Sequence, residues 1–164
     1  MKKTVRSFAI LLLICGCKYE VPLVEEAVIP VDSALTGIWQ KIQEEGKAED
    51  VDEQMVILPF SKTEYVAVLS PGDGGLYFRA YPIRVGDMAL IQLKWLGAGP
   101  EENDETYQVC RYSLQNGVLT VEMLNEDVIS DEIKDSAALR EALQGSRDNP
   151  ELFEKPDCYR KLDN

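Results

Sequence analysis

Four cysteines are the side chains of this 164-residue chain that are best suited to chemistry. Cys15 and Cys17 stand one residue apart at the end of an apolar run, whereas Cys110 and Cys158 lie far apart in the second half. A C-x-C pair suits a redox couple, two metal ligands or a processing signal. The sequence has no second closely spaced pair that would complete a metal site, which disfavours the metal interpretation.

The chain contains no histidine and carries a formal net charge of −12. Without histidine, Ser-His-Asp and Cys-His catalysis are excluded, and the commonest neutral metal ligand is missing. Nucleic-acid binding depends on lysine and arginine at the phosphates, so a chain this acidic is a poor candidate for it. The acidic runs at 49–53, 101–105 and 126–132 lack the spacing of a calcium loop and indicate solvated loops. We therefore expect that the protein is not an enzyme. We also expect it to bind no metal, cofactor or nucleic acid.

The residues before Cys15 have the architecture of a secretory signal. Three basic residues lie within residues 2–6, and the apolar run 8–14 follows. Seven apolar residues are too few to span a bilayer, which takes about 20. The sequence ICGC at residues 14–17 resembles the lipobox of bacterial lipoproteins, in which an aliphatic, a tolerant and a small residue precede the modified cysteine.

This resemblance implies that residues 1–16 are a cleaved signal peptide and that Cys17 is the site of lipid attachment. Such proteins carry a diacylglyceryl group on the sulfur and often a third acyl chain, which anchors them stably without a spanning segment. The residue after Cys17 is Lys18 rather than the aspartate that is associated with inner-membrane retention of lipoproteins in enteric bacteria. We therefore expect a protein of the bacterial cell envelope, lipid-anchored to the outer membrane and facing the periplasm. A redox or metal role for Cys15 and Cys17 is the alternative.

Export would place the two remaining cysteines in an oxidising compartment, where such cysteines commonly pair. We therefore predict a candidate disulfide between Cys110 and Cys158, each of which lies in a predicted strand. Two buried free thiols are the alternative, because a sequence does not reveal the separation of two Cα atoms.

The elements that must position these residues begin with a tether. Residues 17–34 contain Pro22, Pro30 and four acidic residues without a period of 2 or 3.6, which predicts an extended, lipid-anchored spacer. The folded domain is predicted to span residues 35–164.

Seven strands are predicted in the first part of this domain, at 35–42, 55–60, 65–69, 76–83, 88–96, 107–114 and 118–124. Short turns separate them, and Asn116-Gly117 is a strong hairpin signal. Since no helical pattern intervenes, the strands predict an antiparallel meander that forms a barrel or a sandwich. In the run 88–96 the odd positions are apolar and the even positions include Gln92 and Lys94, which predicts one core face and one partly wet face.

The sequence pattern changes after residue 124. A helix is predicted to start at Ser130 or at Ser136 and to stop at Gly145, and residues 158–162 suit an eighth strand. Gly37 and Trp39 form a G-x-W motif that resembles the barrel entrance of lipocalins and other calycins, where the tryptophan caps one end. With the strand and helix order, this resemblance implies a mainly β fold: an antiparallel eight-stranded meander barrel with one C-terminal α-helix before the last strand.

The chain also resembles small bacterial lipoproteins with a lipobox, a proline-containing tether and a G-x-W entrance. That resemblance implies no particular activity. Two functions follow as expectations. The first is a membrane-anchored, non-enzymatic envelope lipoprotein that binds a small apolar ligand or an envelope protein. The second is a structural or protein-interaction lipoprotein with a packed barrel and no ligand.

Overall fold

A computed structural model describes residues 18–43, 53–70, 75–96 and 106–162. Within these residues eight antiparallel strands follow one another around a closed barrel, and one α-helix precedes the last strand. The predicted fold class is confirmed, and the meander forms a barrel rather than a sandwich. The predicted signal peptide, residues 1–16, and the predicted lipid-attachment residue Cys17 lie outside the described residues.

The strands lie close to their predicted positions. They are β1 (Gly37–Lys41), β2 (Gln54–Pro59), β3 (Tyr65–Ser70), β4 (Leu76–Val85), β5 (Met88–Trp95), β6 (Tyr107–Gln115), β7 (Val118–Met123) and β8 (Asp157–Lys161). A 3-10 turn at Ser33–Leu35 precedes β1, and helix α1 spans Ser136–Gly145. Strand β1 pairs with β2 on one side and with β8 on the other, and the second pairing closes the barrel.

The β6–β7 hairpin has the turn that its sequence predicts. Asn116 and Gly117 have φ angles of 52° and 76°. A type I′ turn requires positive φ at both central residues, which asparagine and glycine tolerate better than other residues. The turn sets the register in which Gln115 pairs with Val118.

Helix α1 begins at the second of its two predicted starts. The carboxylate of Asp135 accepts a hydrogen bond of 2.8 Å from a backbone N–H in the first turn, which caps the helix. Leu139 and Leu143, one turn apart, are fully buried. Gly145 differs from its predicted role as a left-handed stop, because it is the last helical residue and Ser146 is the cap.

The inner core fills the barrel. Side chains alternate between the faces of each strand, and the register brings one face of all eight strands together, as where Trp39 lies opposite Met55 and Met55 opposite Leu69. The buried residues of the inner core are Leu35, Trp39, Ile57, Tyr65, Ala67, Phe78, Ala80, Ile91, Cys110, Leu119 and Tyr159.

The outer core lies on the outside of β4, β5 and β6. The N-terminal segment, residues 18–24, together with α1 and the connections on either side of α1, covers this face of the barrel. The buried residues of the outer core are Tyr19, Leu23, Tyr81, Ile83, Val85, Leu90, Tyr107, Val109, Leu124, Ile129, Leu139, Leu143 and Leu152.

Strand β5 is therefore buried on both faces in its central part. Leu90 and Gln92, on the face predicted to be partly wet, are 1% and 0% exposed. The prediction of a partly wet face was wrong at Gln92, because the outer core covers this part of the strand. Lys94, further along the same face, is half-buried.

Candidate functional site

One end of the barrel is crossed by the chain that leads into β1. The indole Nε1 of Trp39 donates a 2.9 Å hydrogen bond to the carbonyl of Leu35. The backbone N–H of Asp32 donates to the hydroxyl of Tyr65 at 2.5 Å, and that hydroxyl donates to the Asp32 carbonyl at 3.1 Å. These bonds hold residues 32–35 across this end, which we call the closed end.

The G-x-W motif lies at the closed end. Trp39 is 1% exposed and belongs to the inner core. Gly37 has a φ of +138°, and a Cβ atom added to it would lie 2.7 Å from Cε of Lys161. The ammonium of Lys161 lies 5.4 Å from the centre of the Trp39 ring and donates to the Ala34 carbonyl at 3.1 Å. Glycine is thus favoured at residue 37 chiefly by its backbone conformation, because the lysine side chain could move away from an added Cβ atom.

The opposite end has a different surface, which we call the mouth. It is formed by inner-face apolar side chains at the strand ends where β1 finishes. They pack on the inner core yet remain partly exposed, and they are Met55, Leu69, Leu76, Trp95 and Met123. The Trp95 ring packs edge-on against Phe78, with 5.2 Å between ring centres. Partly exposed apolar side chains of the inner core also occur near the closed end, at Tyr112 and Leu114.

A charged group lies beside the mouth. The Lys41 ammonium is 3.2 Å from a Glu53 carboxylate oxygen and 3.0 Å from an Asp157 carboxylate oxygen. The Tyr159 hydroxyl donates to Glu53 at 2.9 Å. Burial lowers the pKa of Lys41, but hydrogen bonds and charge attraction from Asp157 and Glu53 outweigh it, so the pKa is raised.

Neither Lys41 nor Tyr159 supplies a base at neutral pH. Burial, reinforced by the Glu53 charge, raises the pKa of Tyr159, so its hydroxyl stays protonated. Lys41 likewise stays protonated, because its pKa is raised above an already alkaline value. A general base must be deprotonated at the working pH. Lys41 and Tyr159 therefore serve as a cation and a hydrogen-bond donor.

The N-terminal segment reaches the mouth. Tyr19 forms an antiparallel bridge with Tyr107, with N–H to carbonyl distances of 2.8 and 2.7 Å. The bridge places Lys18 at the rim, where its ammonium lies 5.2 Å from the centre of the Trp95 ring. This distance is within the range of a cation–π contact.

Buried polar side chains hold the same segment further along. The Gln92 side-chain oxygen accepts hydrogen bonds from the N–H groups of Leu23 (2.7 Å) and Val24 (3.1 Å), and its amide donates to the Val24 carbonyl (3.0 Å). Gln92 also bonds the Tyr81 hydroxyl, which donates to the Val24 carbonyl at 2.9 Å. Arg140 donates to the Leu23 carbonyl at 2.7 Å.

These hydrogen bonds, which we call the Gln92 clamp, hold part of the segment that was predicted to be an extended tether, residues 17–34. The backbone of residues 18–24 contains no helix, as predicted, but Tyr19 and Leu23 are 0% exposed. The apolar residues of the segment pack on the barrel, and the clamp satisfies part of its backbone. The sequence signal that was missed is the alternation Tyr81, Ile83, Val85 opposite Leu90, which shows that the outer faces of β4 and β5 are also apolar.

The predicted disulfide is not formed, and both cysteines are free. Cys110 points into the inner core, whereas Cys158 precedes the inward-facing Tyr159 on β8 and faces the other side of the sheet. Strand β7 lies between β6 and β8, so two interstrand spacings of about 4.8 Å separate the cysteines. A disulfide needs Cα atoms within about 7 Å and converging Cβ atoms. Burial raises the pKa of the Cys110 thiol to about 12.

A surface pocket of about 240 Å³ lies where the β4–β5 hairpin meets α1, lined by Val85, Gly86, Asp87, Met88, Gln144 and Arg147. It is smaller than ligand pockets of roughly 300–1,000 Å³ and mixes charged with apolar groups. It is also distant from the mouth in the fold, since the β4–β5 hairpin lies at the opposite ends of those strands. We therefore do not treat it as the candidate site.

Among residues 18–43, 53–70, 75–96 and 106–162, no three Cys, Asp or Glu side chains gather in a way that could hold a metal ion. Over the same residues, no helix has the length and apolarity to cross a bilayer. Comparison of the chain with protein-family models, with curated proteins and with solved structures found no match.

Proposed function

We propose that the protein is a non-enzymatic lipoprotein of the bacterial cell envelope, anchored through a lipid on Cys17. The ICGC sequence at residues 14–17, with the basic and apolar residues before it, supports the anchor. Lys18 supports attachment to the outer membrane, facing the periplasm. After cleavage, the mature chain would begin at the rim of the barrel mouth.

Labelling of growing cells with a fatty-acid analogue tests the anchor. The wild-type protein and a Cys15→Ser control should take up the label and fractionate with membranes. The Cys17→Ser variant should do neither. Label on the Cys17→Ser protein would overturn the proposed attachment site.

We propose further that the barrel, with its calycin-like plan, binds a small apolar ligand at the mouth. The observation that carries this proposal is the ring of partly exposed inner-face apolar side chains defined above as the mouth. A ligand that covers them removes apolar surface from water, which stabilises a complex by about 25 cal/mol per Å². The closed end does not offer the same access, because residues 32–35 cross it.

Binding is shallow in this proposal. Trp39, Tyr65, Phe78 and Tyr159 are nearly fully buried and occupy the barrel beyond the mouth. The mouth can therefore take one slender apolar group rather than a bulky ring system. The same filled interior favours the second candidate function, a structural or protein-interaction lipoprotein without a ligand.

Titration with a fluorescent fatty-acid probe separates the two functions. Wild-type protein should bind the probe, and Leu76→Gln at the mouth should weaken binding at least tenfold, because a polar side chain replaces apolar contact. Leu58→Gln is the matched control, since Leu58 is 51% exposed on the outside of the barrel. Wild-type protein that does not bind the probe would favour the ligand-free function. Equal weakening by both substitutions would place the ligand elsewhere.

A further inference from the structure

The chain leaves the barrel at the rim of the mouth. The Tyr19–Tyr107 bridge and the Gln92 clamp fix residues 19–24 on the outer face. Lys18 then contacts Trp95, a mouth residue, across 5.2 Å. Packed residues therefore hold Lys18 at the rim of the mouth.

This arrangement leaves no spacer between the anchor and the barrel. Consecutive Cα atoms are 3.8 Å apart, so the lipid-bearing residue 17 lies one such step from Lys18. A free tether of residues 17–34 would instead reach about 60 Å when extended at about 3.3 Å per residue. The clamp replaces that reach with a short, defined attachment.

We infer that the anchored protein stands with its mouth toward the bilayer and its closed end away from it. This inference rests on the proposed anchor at Cys17, and it identifies the mouth as the surface that meets lipid. An apolar ligand would then reach the mouth directly from the membrane, without crossing the aqueous periplasm.

The charge of the chain selects the kind of lipid. Its formal net charge is −12, from 29 acidic and 17 basic residues. Anionic lipid surfaces attract basic segments and repel acidic ones. A zwitterionic surface imposes no such repulsion, so the surface that fits the mouth is zwitterionic.

The two tryptophans of the chain lie at different depths, since Trp95 is at the mouth and the buried indole of Trp39 bonds to the Leu35 carbonyl at the closed end. The acylated protein, purified from membranes, is reconstituted into zwitterionic vesicles containing a lipid with a nitroxide quencher on its head group. We expect the quencher to remove most of the Trp95 emission. In the Trp95→Phe variant, the remaining Trp39 emission should be nearly unchanged.

A spacer of twelve glycine and serine residues between Cys17 and Lys18 provides the matched control. Its r.m.s. length is about 20 Å, so it should release the mouth and lower Trp95 quenching at least twofold. Vesicles rich in anionic lipid should also lower quenching at low salt. Added salt, which shortens the screening length to about 8–10 Å, should restore it.

The mass of the purified protein tests the lipid anchor on Cys17 separately from the orientation of the mouth. A protein without acyl chains on Cys17 would contradict the proposed anchor. An acylated protein whose two tryptophans are quenched alike, or whose Trp95 quenching is unaffected by the spacer, would overturn the orientation alone.

Discussion

The inner and outer cores are built in different ways. Every strand contributes to the inner core through the same alternation of side chains, and Trp39, Tyr65, Phe78 and Tyr159 provide much of its volume. The outer core joins the N-terminal segment, α1 and three strands, which are far apart in sequence. A buried amide, Gln92, connects its parts by hydrogen bonds. The inner core follows from a local period, whereas the outer core depends on docking.

This difference predicts two kinds of response to mutation. Damage to the inner core should affect the whole barrel, since all strands share it. Damage to the clamp should first release the N-terminal segment, because few strand pairings depend on that segment. Four predictions test this comparison, from the largest effect to the smallest.

Phe78→Ala should lower the free energy of unfolding by about 3–5 kcal/mol, the range for large-to-small substitutions in a core. Phe78 is 5% exposed and also loses its edge-on contact with Trp95. Denaturant unfolding followed by circular dichroism gives the value, with Tyr77→Ala, 45% exposed, as the control. A loss below 1 kcal/mol would contradict a tightly packed inner core.

Gln92→Leu should cost about 1–3 kcal/mol, because the N–H groups of Leu23 and Val24 lose their buried acceptor. Hydrogen exchange at these two amides should become at least tenfold faster, while exchange in β2 and β3 stays unchanged. Gln115→Leu, at an exposed position of β6, is the control. Equal acceleration throughout the barrel would show that the two cores unfold as one unit.

Asp135→Ala should cost about 1 kcal/mol, because the first turn of α1 loses its cap. The effect should be confined to the outer core, to which α1 contributes Leu139 and Leu143. Thermal unfolding measures it, with Asp148→Ala at an exposed position as the comparison. A change no larger than in the comparison variant would leave the cap without a role in stability.

The cysteines give the sharpest contrast in accessibility between the inner core and the rest of the barrel. At pH 8 a maleimide should modify half-buried Cys158 and leave Cys110 unmodified until the protein unfolds. The folded Cys110 thiol has a pKa of about 12, above the unfolded value near 8.5, so its contribution to stability is complete below pH 8 and is lost as the pH rises toward 12. Mass spectrometry counts the modified sites. A mass gain of two hydrogens on reduction would contradict the free thiols.

Much of the barrel could be predicted because its information is local. Period-2 alternation located the strands, Asn116-Gly117 identified a hairpin, and Asp135-Ser136 offered a helix start. The strand ends differ from the predicted ones by no more than two residues. Gly37 and Trp39 were singled out by spacing, and the structure gives each a physical role at the closed end.

The candidate site was harder to predict because it is assembled across the sheet. Lys41 and Glu53 meet across the β1–β2 pair, and the closure of β1 on β8 adds Asp157 to them. The alternation in β5 predicted that Gln92 lies on a partly wet face. Alternation identifies the two faces of a strand, but it cannot reveal what packs on the outer one. The disulfide prediction failed for the same reason, since two cysteines in strands do not disclose their faces or separation.

The sequence by itself determined the class of the domain, because hydrophobic period, turn residues and helix caps act over a few residues. It also contains the lipobox-like residues from which the anchor at Cys17 is proposed. Only the tertiary structure decided that residues 18–24 pack on the barrel, that the mouth lies beside Lys18 and that Cys110 and Cys158 face opposite sides of the sheet. These features depend on contacts between residues that are distant in sequence. Such contacts form, and stabilise the fold, only once the barrel has closed.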